Sequence, residues 1–134
     1  FLCAMANTYE CMCGKNGLEV TGEPALAVWC HCHSCQVYAT DAMKLAAFKP
    51  EQFKYTKGGD DDRIKYESSK DTYRISCKTC GSFVNKVLGN GLVVCGLGGM
   101  KFGGAPIKPT MHIFYAEATT DVKDDLPKHD GWAP

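Results

Sequence analysis

The chain has 134 residues, 45% of them hydrophobic, with fifteen Lys and Arg balanced by fifteen Asp and Glu and with nine cysteines. Its length suits one compact domain, and no apolar stretch approaches the roughly 18 residues needed to cross a bilayer. A formal net charge of zero speaks against nucleic acid as a partner, since nucleic-acid binders usually carry a basic surplus.

Residues 1–7 read as an N-terminal extension and residues 8–134 as a single domain. Met5-Ala6-Asn7 resembles a natural start, so Phe1 to Ala4 reads as an upstream extension or expression remnant, and Cys3 is set aside. The first residues show no basic start followed by an apolar core, so no secretory signal is expected and a cytoplasmic location is implied.

Short β-type runs then follow one another: Thr8–Cys13, Ala25–Cys30, Met43–Phe48, Phe53–Thr56, Arg63–Glu67, Thr72–Cys77, Ser82–Val87, Leu92–Cys95 and Met111–Ala116. Turn signals separate them, namely Lys57-Gly58-Gly59-Asp60, Gly89-Asn90-Gly91 and a glycine-rich stretch from Gly96 to Gly104. No segment shows a long 3.6-residue period with caps, although Pro50-Glu51-Gln52 can open one helical turn. The expected class is mainly β. The glycine-rich stretch lacks a phosphate-loop or dinucleotide fingerprint and is read as a flexible loop, a candidate wall for a ligand groove. Asp60-Asp61-Asp62 lacks the spacing of a calcium loop and is read as a solvated turn.

Seven cysteines form three groups: C-x-C at Cys11 and Cys13, C-x-C-x-x-C at Cys30, Cys32 and Cys35, and C-x-x-C at Cys77 and Cys80. Disulfides fit poorly, because the total is odd, near neighbours strain the bond, and no oxidising compartment is indicated. Metal fits well. Zinc takes soft thiolates in a tetrahedron, and short spacings let one loop supply two of them. Gly14 and Gly81 follow the outer pairs, where such turns often need positive φ. These two pairs therefore suggest one site of Cys11, Cys13, Cys77 and Cys80; iron on the same thiolates is not separated from zinc by sequence.

Cys30, Cys32 and Cys35 offer three thiolates with no evident fourth. Three protein ligands and an open position is the arrangement of catalytic zinc. The alternative is a closed site completed by His31, His33, His112 or Cys95. In an extended stretch Cys30 and Cys32 face one side and His31 the other, while a turn through His33 and Ser34 can bring Cys35 round. His31 and His33 are read as supporting or surface residues, and Cys95, in the run Leu92-Val93-Val94-Cys95, as a small buried hydrophobe.

The order Cys11-Met12-Cys13-Gly14, Cys30-His31-Cys32-His33-Ser34-Cys35, Cys77-Lys78-Thr79-Cys80-Gly81-Ser82 resembles the glutathione-dependent formaldehyde-activating enzyme family, which includes centromere protein V. Pro109-Thr110-Met111-His112-Ile113 and the ending Leu126 to Trp132 are similar to its C-terminal part. The resemblance implies a β-tent fold of small antiparallel sheets organised around zinc. It also implies a four-cysteine structural zinc and a second zinc on the C-x-C-x-x-C loop. The activity implied is a carbon–sulfur lyase that joins glutathione and formaldehyde as S-hydroxymethylglutathione, or parts them. The family often has Arg or Lys directly after the third loop cysteine, where this chain has Gln36, and a Gly shortly after, where it has Tyr38-Ala39-Thr40.

Charge arithmetic gives the same chemistry. Zn²⁺ on three thiolates is formally −1 and should acidify water less than a three-histidine site does. It suits a fourth, incoming thiolate better, so Cys30, Cys32 and Cys35 are assigned as catalytic; the resemblance implies a glutathione-like thiol and a small aldehyde as partners. His33 and His112 are candidates for proton traffic. A lyase for another thiol conjugate, or a non-catalytic zinc module, are the competing readings.

Overall fold

The computed structural model describes residues 5–134, so Cys3 lies outside the described residues. Ten strands, one α-helix and three short 3₁₀ turns are found among the described residues, and the class is mainly β. β1 (Ala6–Glu10), β2 (Gly17–Thr21) and β5 (Phe53–Lys57) form an antiparallel sheet in the order β1-β2-β5. The other strands are β3 (Leu26–Cys30), β4 (Met43–Phe48), β6 (Arg63–Ser69), β7 (Thr72–Cys77), β8 (Phe83–Val87), β9 (Val93–Gly96) and β10 (Met111–Ile113). They build a seven-stranded sheet in the order β10-β3-β4-β9-β8-β7-β6. It is antiparallel except where β10 runs parallel to β3, so the larger sheet is mixed.

β4 shows why the larger sheet sits at the centre of the molecule. A strand covered on one face alternates apolar and polar, whereas one covered on both reads as a continuous apolar run. Met43-Lys44-Leu45-Ala46-Ala47-Phe48 is nearly such a run, and its side chains divide by the pleat. Ala46 and Phe48 join Leu18, Val20, Ile75 and Val84 in the core between the sheets. Met43, Leu45 and Ala47 join Val28, Val94 and Ile113 in a second core on the far face. Leu18, Val20 and Phe48 are fully buried; each such side chain contributes roughly 1.5–3 kcal/mol of transfer free energy.

Several sequence expectations change. Thr8–Cys13 is not one strand: β1 runs over Ala6–Glu10, and Cys11 to Gly14 form a turn with Gly14 at φ +78°. β2 was unassigned, although Leu18 and Val20 alternate with polar residues as a half-buried strand should. The chain carries a helix, α1 (His33–Ala39), capped by Cys32, whose sulfur accepts from the Cys35 N–H. Met111–Ala116 ends early as a strand, because Phe114 turns left-handed at φ +51° and opens the 3₁₀ turn Tyr115–Glu117. The glycine-rich stretch is anchored: Leu97 and Met100 are buried, and Lys101 exchanges backbone hydrogen bonds with Thr8. It lines no part of the cavity over Cys30 and Cys32. Pro50–Gln52 and Asp60–Asp62 are exposed 3₁₀ turns. Among the described residues no helix is long and apolar enough to cross a membrane.

Candidate functional site

Two hairpin tips meet at the first cysteine group. β1 and β2 are joined by Cys11 to Asn16, and β7 and β8 by Cys77 to Ser82. Both tips close in the same way. Cys11 N–H donates to Asn16 O and Cys77 N–H to Ser82 O, while Gly14 and Gly81 N–H return to the carbonyls of Cys11 and Cys77. Gly14 and Gly81 sit at φ +78° and +74°, the left-handed region in which glycine carries no Cβ penalty. The tips are thereby shaped to turn backbone N–H groups onto sulfur: Asn16 N–H lies 3.3 Å from Cys11 Sγ and Cys80 N–H 3.5 Å from Cys77 Sγ.

The sulfurs of Cys11, Cys13, Cys77 and Cys80 all lie within 4.8 Å of one another. Cys11 and Cys13 are 3.6 Å apart and Cys13 and Cys77 3.7 Å. A tetrahedron with metal–sulfur bonds of about 2.3 Å has edges of about 3.8 Å, so the quartet fits a zinc-sized ion. Ser82 lowers the Cys80 thiol to about 5, first through its hydroxyl and then through its N–H. The Cys77 thiol is also lowered, chiefly by the Cys80 N–H. The Cys13 thiol goes the other way, to about 11: the Lys15 N–H lowers it, but burial and hydrogen bonds with Cys11, Cys77 and Cys80 outweigh that.

Asn16 is the residue of this cluster that motif reading missed. It is fully buried, its Nδ2 donates to Asp62 O at 3.0 Å, and its Oδ1 accepts from Arg63 Nη1 at 3.0 Å. It fixes the first tip to the turn before β6. Asn16→Ala leaves the Asp62 carbonyl and the Arg63 guanidinium without this partner. It should lower the unfolding free energy by about 2–3 kcal/mol, read by urea titration of metal-saturated protein.

The second group lies on the far face of the large sheet. β3 delivers Cys30 at its end, Cys32 caps α1, and the first turn of α1 returns Cys35, so these three sulfurs also lie within 4.8 Å of one another. Among the described residues no fourth Cys, His, Asp or Glu joins them. Cys95 packs in the core between the sheets, away from this group, with its thiol pushed up to about 12 by burial. His33 is exposed. His31 Nε2 meets His112 Nδ1 at 2.8 Å, and His112 Nε2 meets Asp124 Oδ2 at 2.8 Å. Neither His33 nor His112 is among the residues that line the cavity over Cys30 and Cys32.

That cavity has a volume of about 170 Å³. Its wall combines Cys30, Cys32, Arg74 and Lys86 with the hydroxyl residues Ser34, Ser68 and Ser69 and with apolar side chains such as Val28, Leu45, Val94, Ile113 and Phe114. Hydrogen bonds from Cys30 and Cys35 lower the Cys32 thiol, and Lys86 adds a favourable field. Cys30 is correspondingly raised, because it shares its proton with Cys32 and Cys35 and because it is buried. Arg74 is 5% exposed; its Nη2 is 3.5 Å from Cys35 Sγ, its Nη1 is 3.8 Å from Met43 Sδ, its guanidinium lies 5.6 Å from the centre of the Tyr38 ring, and among the described residues its Nε has no partner.

A sequence profile described as glutathione-dependent formaldehyde-activating enzyme matches residues 6–117. The chain belongs to this family. A crystal structure of a Rhodobacter sphaeroides protein superposes with a TM-score of 0.56 at 19% sequence identity, covering 74% of this chain and 91% of that one; this similarity concerns the fold alone. No match is found among curated proteins.

Within this family the chain's Gln36 acquires a structural account. Its Nε2 donates to His31 O and to Glu117 O, each at 2.7 Å, and its Oε1 accepts from Thr119 Oγ1 at 3.1 Å. It ties α1 to the C-terminal segment, while Arg74, from β7, supplies the cation beside the third loop cysteine. The C-terminal segment runs along β10: Pro127 O and Gly131 O accept from His112 N–H and Phe114 N–H, and His129 N–H donates to His112 O. It brings Trp132 against Phe114 at the cavity edge.

Asp124 pins that segment, its carboxyl held down to about 2 first by Lys128 and then by His112. A carboxyl lowered on folding adds stability above its unfolded value near 3.8, and that share is lost as pH falls toward about 2. Asp124→Asn should therefore increase proteolysis of residues 118–132 at neutral pH, with the difference from wild type vanishing in acid.

Proposed function

We propose that the protein is a zinc-dependent carbon–sulfur lyase that forms or breaks an adduct between a glutathione-like thiol and a small aldehyde such as formaldehyde. The observation that carries this reading is the group of three sulfurs that no fourth Cys, His, Asp or Glu joins among the described residues, with Cys30 and Cys32 lining a cavity. Family membership supports it, since the family's description names both reactants. The quartet of Cys11, Cys13, Cys77 and Cys80 is assigned a structural zinc.

Cys30, Cys32 and Cys35 would hold the second ion. Zinc bound there would keep an incoming thiol deprotonated at neutral pH, where a free thiol has a pKa of about 8.5. The chain's own residues do the rest. Lys86 and Arg74 present positive charge to sulfur, and the apolar wall limits water around the reacting carbon. The hydroxyl of Ser34 lines the same cavity. No histidine does, so proton exchange is assigned to solvent and hydroxyl groups.

The test is ¹³C exchange NMR of formaldehyde with glutathione. Wild type is expected to speed exchange and Cys32→Ser to return it to the uncatalysed rate. Equal exchange in both proteins removes the assignment. Metal release separates the non-catalytic reading: one inert and one exchangeable zinc fits a lyase, two inert ions fit a structural module.

A further inference from the structure

β6 is the last strand of the seven-stranded sheet, with β7 on one side and, among the described residues, no strand on the other. Hydrogen bonds at its start fix which backbone groups face outward. Lys78 N–H donates to Asp62 O, whereas Cys77 N–H donates away from β6, to Ser82 O. Asp62 and Lys78 continue the register that sets Arg63 against Cys77, and bonded and non-bonded pairs alternate along an antiparallel ladder. Ile64 and Tyr66 therefore turn their N–H and C=O groups to β7, and Lys65 and Glu67 turn theirs outward. Such an edge is a template for another chain.

The side chains along this edge are equally unspent. Ile64 and Tyr66 are exposed apolar residues on one face, and Tyr66 shares a hollow with Val37, exposed on α1. On the other face, Lys65 Nζ lies 4.4 Å from the centre of the Tyr73 ring, and Glu67 Oε2 accepts from Asp71 N–H at 3.1 Å. Among the described residues neither Lys65 nor Glu67 forms an ion pair.

We infer that β6 pairs antiparallel with β6 of a second copy of this chain, about a two-fold axis at Tyr66. Outward backbone groups must meet outward groups, so the axis passes at a residue and not between two. With the axis at Lys65 or at Glu67, that residue faces its own like charge, which is destabilising. An axis at Lys65 also sets Glu67 against Arg63, whose N–H is taken by Asp60 O and whose guanidinium is held by Asn16 and the Tyr55 ring. With the axis at Tyr66, Lys65 faces the partner's Glu67 and Glu67 faces the partner's Lys65. Every outward N–H and C=O of these two residues is then bonded. Tyr66 meets the partner's Tyr66 in the close, non-bonded pair, where aromatic rings attract. Lys65 thus disfavours the wrong register and favours this one. Ser34, Ser68 and Arg74 line both the hollow beside Tyr66 and the cavity over Cys30 and Cys32, so the join abuts the candidate site.

Sedimentation equilibrium of the two-zinc protein tests this. Wild type should rise with concentration from 14.6 kDa to twice that mass. Lys65→Glu opposes two carboxylates at each pair and Glu67→Lys two ammonium groups, so each should weaken self-association by about tenfold or more. In a mixture of the two variants each pair again joins a Lys to a Glu, and the dimer should return. Amide exchange of wild type needs no substitution: the Lys65 and Glu67 N–H groups should slow as concentration rises, and Tyr66 N–H, already bonded to β7, should change least. A wild type that stays monomeric up to about 1 mM, the weak end of specific binding, overturns the inference and leaves the edge to a different chain. A dimer indifferent to both reversals, or a mixture that remains monomeric, overturns it as well. Should either variant fail to fold, the exchange rates decide, and rates at Lys65 and Glu67 that ignore concentration refute the pairing.

Discussion

Replacing Cys77 with serine is expected to abolish the cooperative native state. Cys77 is fully buried at the end of β7, in the core that also holds Cys11, and its sulfur lies 3.7 Å from that of Cys13. The quartet joins two hairpin tips about sixty residues apart in sequence: Cys13 and Cys77 are separated by 64 positions. Neither tip carries the apolar side chains to hold the other by packing alone, for Met12 is 90% exposed and Lys15, Lys78 and Thr79 are polar. Structural zinc contributes about 10–16 kcal/mol in small zinc domains, against a total stability of about 5–15 kcal/mol for ordinary domains. Loss of one ligand therefore removes most or all of the margin. Circular dichroism under urea should show no cooperative transition in Cys77→Ser, and chelator treatment of wild type should have the same end point. Cys95→Ser provides the contrast. It too is buried, but it belongs to neither sulfur group, so its transition should survive at a lower midpoint. A wild-type midpoint for Cys77→Ser would show that the quartet carries no structural metal.

The cysteine tips were legible because their chemistry is local. A thiol pair at short spacing followed by Gly14 or Gly81 encodes a left-handed turn within five residues, and both glycines take that conformation. β4 is equally legible, since an apolar run of its length, interrupted only by Lys44, belongs to a strand covered on both faces. The helix was not. With seven residues, α1 is too short to display a 3.6-residue period, and its cap is a cysteine sulfur rather than Ser, Thr, Asn or Asp. The glycine-rich stretch misled because composition suggested mobility, whereas Leu97 and Met100 supply two buried anchors.

Long-range polar contacts lay beyond sequence reading altogether. Asn16 meets Asp62, His31 meets His112, and Gln36 meets Glu117 across 46, 81 and 81 positions. Nothing in the local pattern marks such a residue as buried, because burial is decided by where another part of the chain returns. Arg74 belongs with them. In the run Thr72-Tyr73-Arg74-Ile75 it reads as the solvent-facing member of an alternating strand, yet it turns into the second core beside Cys35.

Arg74→Gln is expected to weaken metal binding at Cys30, Cys32 and Cys35 by about 10- to 100-fold, the range typical for residues that support metal ligands. The reason is charge. Three thiolates around Zn²⁺ are formally −1, and a buried unbalanced charge is costly. The Arg74 guanidinium, 5% exposed and in contact with Cys35 Sγ, brings the sum to zero. Conversely, among the described residues the guanidinium finds its hydrogen-bond acceptors in sulfur, so ion and arginine stabilise each other. Arg74→Lys keeps the charge but loses the planar fork, and should fall between wild type and Arg74→Gln. Competition against a chromophoric chelator resolves two zinc ions per chain, which separates this role from a general loss of stability. A merely structural arginine would loosen both ions together. A counter-ion loosens the ion on Cys30, Cys32 and Cys35 and leaves the quartet's affinity unchanged; unchanged affinity at the three-cysteine group in Arg74→Gln would refute that role.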